Sequence, residues 1–374
     1  MSRTVVIGGG YAGLACLSEL SKKDRSAELT LIDSQDQHVK LTQLHKTLRR
    51  PLNNYRLPYA KLGETFNFNF YQQALDLSPG QLKNWLEEGK IELPETSLPF
   101  DQLVISSGAA PIPLPAGTTT LTYTDLLAGR GPTMIEKIVA QAAADPLSVS
   151  LVGGGATGIQ VLFELNDILR DAKVPHQLRL IDFAERLVPG LPRSVHRTIR
   201  RKLERLGIDY LANTRYLGKQ DGQIQLQEAS ATEPYSLPSA FTFLFPGVRP
   251  APQRFAANRY GQVLLDGELR EQLYTCGDCS SFNSPGLNSM TAQAALRKGK
   301  VVAKNIIQRD RGRSLHSYRY SEKGYIISLG RRDAVGWAGL KLHRIHGLPA
   351  HLLKESMEVQ YDLFLSGIDT FVDL

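Results

Sequence analysis

Two glycine-rich stretches carry the residues best suited to chemistry in this chain. In "TVVIGGGYAG", Gly8, Gly10 and Gly13 follow a β-branched run and precede "LACLSEL", which has helical spacing. In "SVSLVGGGATG", Gly153, Gly155 and Gly158 follow the same kind of run and precede "IQVLFELNDIL". In such a strand–turn–helix the first glycine permits the tight turn. The second lets the backbone approach a pyrophosphate, and the third lets helix and strand pack closely. The helix start then offers unpaired N–H groups and a positive dipole end to phosphate. Each stretch is followed by an acid closing a second apolar run: Asp33 in "AELTLIDS" and Asp182 in "HQLRLIDF". A carboxylate there accepts hydrogen bonds from the ribose hydroxyls of an adenosine. Glycine turns also join strands to helices where no nucleotide binds. The acid at the strand end, present twice, favours two dinucleotide sites. Asp182 stands where a basic residue would meet a 2′-phosphate, which argues for NADH over NADPH; Arg186, four residues on, weakens that preference.

A third motif, Gly277-Asp278, ends the short apolar run in "LREQLYTCGDCSSF" and lies near the helical stretch "SMTAQAALRKGKVVAKNII". Here the sequence resembles the two-dinucleotide flavoproteins of the pyridine nucleotide–disulfide oxidoreductase superfamily. The resemblance takes in "LPFDQLVISSGAAP", with Gly108, and "FTFLFPGVRPAP", with Gly247. It implies an α/β fold with two Rossmann-like domains, the NADH domain inserted in the FAD domain, and a small C-terminal α+β region. The expected division is residues 1–110 and 246–310 for FAD, 111–245 for NADH, and 311–374 for the C-terminal region with an amphipathic helix. FAD would take Gly8, Gly10, Gly13, Asp33, Gly108, Gly277 and Asp278, the last on its ribityl chain. NADH would take Gly153, Gly155, Gly158, Asp182 and Gly247. The implied chemistry is hydride transfer from nicotinamide C4 to flavin N5. That step needs no acid or base from the protein, only stacking, exclusion of water and electrostatics. The helix beginning around Met290–Gln293 would turn its N-terminus to the flavin pyrimidine edge.

The cysteines constrain the electron acceptor. "HVKLTQLHKTLRR" holds no redox cysteine pair of the disulfide-reductase kind. Cys276 and Cys279 have CxxC spacing but straddle Gly277-Asp278, so packed thiols are favoured over a redox disulfide. No second CxxC or His pair supports zinc. The tail "YRYSEKGYIISLGRRDAVGWAGL" resembles the C-terminal segment of type II NADH dehydrogenases, which pass electrons from NADH to quinone. Tyr318, Tyr320, Lys323, Gly324, Gly330, Ala334 and Val335 carry that resemblance. His38 matches the family's His-rich loop, and Ala74 sits where the family gives a backbone contact to adenine. The family's Ala-Gln-x-Ala-x-Gln motif reads Ala292, Gln293, Ala295 and then Arg297; the glutamate that follows the second glycine turn in the family is Gln160 here. These departures fall on the acceptor side. Lys323 would line the same side, or be a surface lysine in a turn.

The elements that must position these groups sit in a chain of 374 residues, long enough for two or three domains. With 42% hydrophobic and 22% charged residues, its composition is that of an ordinary globular protein. The charge of +7 is spread over "HRTIRRKLERLG", "RKGKVVAK", "QRDRGR" and "KLHRIH". These runs read as solvated helix faces, and no aromatic-interleaved basic strip points to nucleic acid. The first strand begins by Thr4, leaving no room for a signal peptide, and no long apolar run predicts a transmembrane helix. Three cysteines fit a reducing cytoplasm. From Leu348 onward, Leu353, Met357, Tyr361, Phe364, Leu365, Ile368 and Val372 recur at helical steps, opposite Glu355, Glu358, Asp362, Asp369 and Asp373. Interfacial helices carry Lys and Arg on the polar face instead. The body of the protein, a second subunit or a membrane could each take the apolar face. The leading expectation is a cytoplasmic FAD enzyme, with peripheral contact at the inner membrane face left open, that carries electrons from NADH to quinone. A soluble reductase of a small carrier protein and an NADH-sensing flavoprotein are the alternatives.

Overall fold

Runs rich in Val, Ile and Leu pair as parallel strands when helices cover both sheet faces. The computed structural model describes residues 2–115, 117–339 and 343–371. Its first sheet starts with β1 (Arg3–Ile7), crosses through α1 (Tyr11–Lys23) to β2 (Glu28–Asp33), and adds β3 (Asn69–Gln72) and β4 (Gln102–Ile105). Val6 pairs with Leu31 on one side and Val104 on the other, so β1 is central.

The chain then leaves this sheet and builds a second. Its elements are β5 (Thr120–Thr122), β6 (Leu147–Val152), α2 (Ala156–Asp171), β7 (His176–Ile181), α3 (Arg193–Leu206), β8 (Asp209–Leu211) and β9 (Phe241–Leu244). The strands are all parallel, in the order β5-β9-β6-β7-β8. Returning to the first sheet, the chain adds β10 (Phe255–Ala257), β11 (Gln262–Leu265), β12 (Glu268–Thr275) and β13 (Ser280–Phe282). The full order becomes β13-β10-β11-β12-β4-β1-β2-β3. Strands from before and after the second sheet in the sequence thus share one sheet, with β12 beside β4.

Helix α4 (Ala292–Asp310) packs along α1 so closely that Gly299 leaves no room for a Cβ against the Ala12 backbone. Lys298 and Lys300 on this helix are only 1% and 4% exposed, which corrects the reading of "RKGKVVAK" as a solvated face. Both find partners inside: Lys300 pairs with Asp369 at 2.6 Å, and Lys298 caps carbonyls of the β12–β13 turn.

The C-terminal region is an antiparallel sheet of β14 (Gly324–Ser328), β15 (Ala334–Ala338) and β16 (Arg344–His346), followed by α5 (Leu348–Leu365). Helix α5 does not present the faces its spacing predicts. Tyr361, Phe364 and Leu365 are buried as expected, but so are Lys354 and Glu358, while Leu353 and Ile368 are exposed with Leu348, Leu352, Val359 and Leu363. The cause is an ion network beneath the helix, in which Lys46 meets Glu355 at 3.0 Å and Glu358 at 2.5 Å, and Lys354 meets Glu358 at 2.6 Å. Val372, Asp373 and the first residues of "KLHRIH" lie outside the described residues. Among the described residues no helix is long and apolar enough to cross a membrane.

Candidate functional site

The two glycine turns are built alike at their three motif glycines. Gly8 and Gly153 have φ of +100° and +111°, and a Cβ on either would strike a backbone carbonyl on the neighbouring strand, Ser106 O or Phe245 O. Only glycine satisfies both conditions. Gly13 and Gly158 lie against the carbonyls of Gly8 and Gly153, while Gly10 and Gly155 have nothing within 4 Å of a built Cβ. The middle glycine of each turn therefore faces open space at the start of a helix, where a pyrophosphate would lie. Each strand-end acid locks its turn. Asp33 accepts from Gly9 N at 2.6 Å and Gln35 N at 2.8 Å; Asp182 accepts from Gly154 N and from Ala184 N at 2.7 Å. Ala74 follows β3 at the same sheet edge as Asp33, where Gln73 N bonds Asp33 O at 2.8 Å.

Gly277, at φ +79°, seats the β12–β13 turn against α1, where a Cβ on it would come within 3.0 Å of the Ala12 side chain. The next residue, Asp278, is half-buried, and its carboxyl has no hydrogen-bond partner among the described residues. Burial pushes it up to about 6, against the opposing pull of Lys298 and Arg254. An acceptor left unpaired at a helix N-terminus fits a polyhydroxylic ligand that brings its own donors. Lys298, invisible as a site residue in the sequence, braces this turn by donating to Gly277 O, Ser280 O and Ser280 Oγ at 3.3, 3.1 and 2.9 Å. Burial pushes Lys298 down to about 8. Cys276 and Cys279 are free and fully buried, with Cys279 Sγ donating to Cys276 O at 3.4 Å. Gly108 and Gly247, at φ +72° and +111°, follow β4 and β9 and leave their Cβ positions open.

The tail and α4 meet at the helix start. Tyr320 donates to Gln293 Oε1 at 2.9 Å, and Tyr318 donates to Leu287 O at 2.8 Å. Ala292 and Gln293 are half-buried, whereas Ala295 belongs to the core between α1 and α4. Gln160 on α2 accepts from Ser328 N of β14 at 3.3 Å, tying the second glycine helix to the C-terminal sheet. Lys323 is exposed, and among the described residues only its backbone carbonyl is engaged, by Gly339 N at 2.7 Å. The structure therefore joins Gln293 to Tyr320, with no hydrogen bond from Lys323 to either tyrosine among the described residues.

One more arrangement was not foreseen. His38 lies fully buried against the first turn, its Nδ1 donating to Gly9 O at 3.1 Å and its Nε2 accepting from Tyr361 O–H of α5 at 2.9 Å. Tyr361 also stacks on Tyr11, the first residue of α1, at 4.6 Å between ring centres. Burial pushes His38 down to about 4, so the ring is neutral and this tautomer is fixed by its two partners.

Similarities to known proteins agree with this geometry. A family described as pyridine nucleotide-disulphide oxidoreductase matches residues 2–299. A protein named type II NADH:quinone oxidoreductase from Staphylococcus aureus is 24% identical over 98% of this chain and 96% of its own length. Among solved structures, the sulfide:quinone oxidoreductase of Aquifex aeolicus superposes with a TM-score of 0.82 at 17% identity, covering 99% of this chain and 92% of that one. NDH2 of Plasmodium falciparum, solved with NADH, gives 0.78 at 14% identity over 98% and 96%. At those identities the superpositions establish the fold.

Proposed function

We propose, from the premise that this chain belongs to the pyridine nucleotide-disulphide oxidoreductase family, that it takes hydride from NADH with FAD and delivers the electrons to a quinone. The observation that carries the reading is the duplicated turn: two open middle glycines, each beside a locked strand-end acid, with the Gly277-Asp278 turn packed against the first and the Asp278 carboxyl without a hydrogen-bond partner among the described residues. That asymmetry supports placing FAD at the Gly8 turn and NADH at the Gly153 turn, and the 1–110, 111–245, 246–310 and 311–374 division goes with that reading. When bound, the flavin supplies hydride acceptance at N5 and two-electron delivery.

The protein's own residues do the rest. Backbone N–H groups at the starts of α1 and α2 neutralise the pyrophosphates, and Asp33 and Asp182 orient the riboses. Asp278 accepts from a ribityl hydroxyl, with Lys298 holding its turn in place. The half-buried start of α4, with Ala292 and Gln293, sets a positive dipole end near the flavin. Gln160 and Lys323 belong to the nicotinamide and acceptor sides. Quinone as acceptor rests on whole-length similarity to a type II NADH:quinone oxidoreductase and on the tail tyrosines packed at α4. The exposed leucines of α5 suit a lipid surface or a second copy of the chain.

Arg297 and Gln160 depart from the family pattern on the acceptor side, and this favours a small carrier protein or a sensing role as the second reading. An anaerobic NADH titration followed by flavin absorbance, then addition of a short-chain quinone, separates them. Fast reduction by NADH and reoxidation by quinone is the expected result. Reduction without reoxidation by any short-chain quinone overturns the acceptor, and no reduction overturns the reading as a whole.

A further inference from the structure

The two dinucleotide sites share their grammar up to the strand-end acid and diverge immediately after it. Past Asp33 the loop reads Ser34-Gln35-Asp36, without a cation. Past Asp182 it reads Phe183-Ala184-Glu185-Arg186 and leads into α3, whose Arg193, His196, Arg197 and Arg200 recur at three- and four-residue steps and so share a face.

That face, Arg186 and Tyr210 of β8 line a cavity of about 720 Å³. Four arginines stand there against the single carboxylate of Glu185. Arg186 is held by Pro189 O at 3.1 Å and Arg200 by Glu204 at 3.1 Å, but Arg193 and Arg197 make no hydrogen bond or ion pair among the described residues. The cavity adjoins the ribose acid. Ala184 N bonds Asp182 Oδ1 at 2.7 Å, Asn213 N bonds Ala184 O at 3.4 Å, and the Tyr210 hydroxyl feels the charges of both Asp182 and Arg200. Phe183, 76% exposed, presents a bare aromatic face at the edge where the adenine ring would lie.

We propose that this pocket receives the 2′-phosphate of NADPH, so that the chain accepts both reduced nicotinamide dinucleotides. The inference rests on the assignment of the second glycine turn to the nicotinamide dinucleotide. Asp182 opposes a phosphate less than its position implies, because Gly154 N and Ala184 N already hold its two oxygens and it is 7% exposed. Guanidinium groups suit the dianion because they pair with phosphate through two parallel N–H donors.

Calorimetric titration of the flavin-loaded protein with adenosine 2′,5′-bisphosphate, 5′-AMP and inorganic phosphate tests this independently of turnover. The bisphosphate should bind about tenfold tighter than 5′-AMP. Arg193→Ala with Arg197→Ala should erase that advantage and leave 5′-AMP unchanged; both side chains are exposed, so folding is not at stake. Equal affinity for the two nucleotides in the unsubstituted protein overturns the proposal. So does an advantage that survives the double substitution, or inorganic phosphate bound at the arginines and not displaced by the bisphosphate. Flavin reduction by NADH serves as the control: its failure would count against the proposed function, whereas loss of 2′-phosphate discrimination alone counts only against this pocket.

Discussion

The carboxyl of Asp278 has no hydrogen-bond partner among the described residues, and burial holds it at about 6, above its ordinary 3.8, against the pull of Lys298 and Arg254. The folded state therefore binds this proton more readily than the unfolded chain. The resulting penalty is absent below pH 3.8, grows as pH rises toward 6, and is complete above that. His38 titrates the other way: its neutral buried ring, at about 4, costs stability as pH falls from 6.5 to 4. An Asp278→Asn variant isolates the carboxylate. Flavin-free Asp278→Asn should be more stable than the parent at pH 8, by on the order of 1–2 kcal/mol in urea melts, with the gap closing near pH 4. The same variant should bind FAD roughly ten- to a hundredfold more weakly, because a charged acceptor is lost. A gap that does not change with pH would remove the burial argument. Asp278 is legible in the sequence as a candidate, through the family resemblance that Gly-Asp after an apolar run carries. Its brace, Lys298, is not: a lysine inside a basic run looks solvated until α1 is packed over it.

Helices show the same division between local and long-range information. The starts of α1 and α2 are readable, since a glycine spacing set by strand–helix contact leaves its mark within ten or so residues. The seating of α5 is not readable, because Lys46, which pairs with Glu358 and through it with Lys354, comes from the 3-10 helix Leu41–Leu48, some 300 residues earlier. A count of apolar steps cannot see that ion pair. Helix α4 offers a test of the acceptor side. Arg297 lies half-buried one turn from Gln293, within electrostatic reach of Tyr318 and Tyr320. Arg297→Gln, which restores the family's residue, should leave flavin reduction by NADH unchanged in stopped-flow traces and keep or raise quinone turnover. A fall in quinone turnover would show that the arginine itself serves the acceptor.

At the scale of the whole molecule, α5 is joined to the first glycine turn through Tyr361, His38 and Gly9, and to the 3-10 helix through Lys46, Lys354 and Glu358. Glu358→Gln strips the charge from one partner and leaves Lys354, 7% exposed, without its anion. A loss of about 3–5 kcal/mol is expected, read as a lower melting temperature with earlier flavin release. Adding Lys354→Met should recover part of it; no recovery would show that the network is not what seats the helix. The division of the first sheet between segments before and after the second has a further consequence, for biosynthesis. β12 cannot pair with β4 until the intervening chain has been translated, and at about 5–20 residues per second that delay is on the order of ten seconds. The second sheet, whose strands all lie between Thr120 and Leu244, is complete on the ribosome first. A nascent chain thus completes its second sheet before its first can close, and under the proposed assignment flavin capture becomes one of the last events in its maturation.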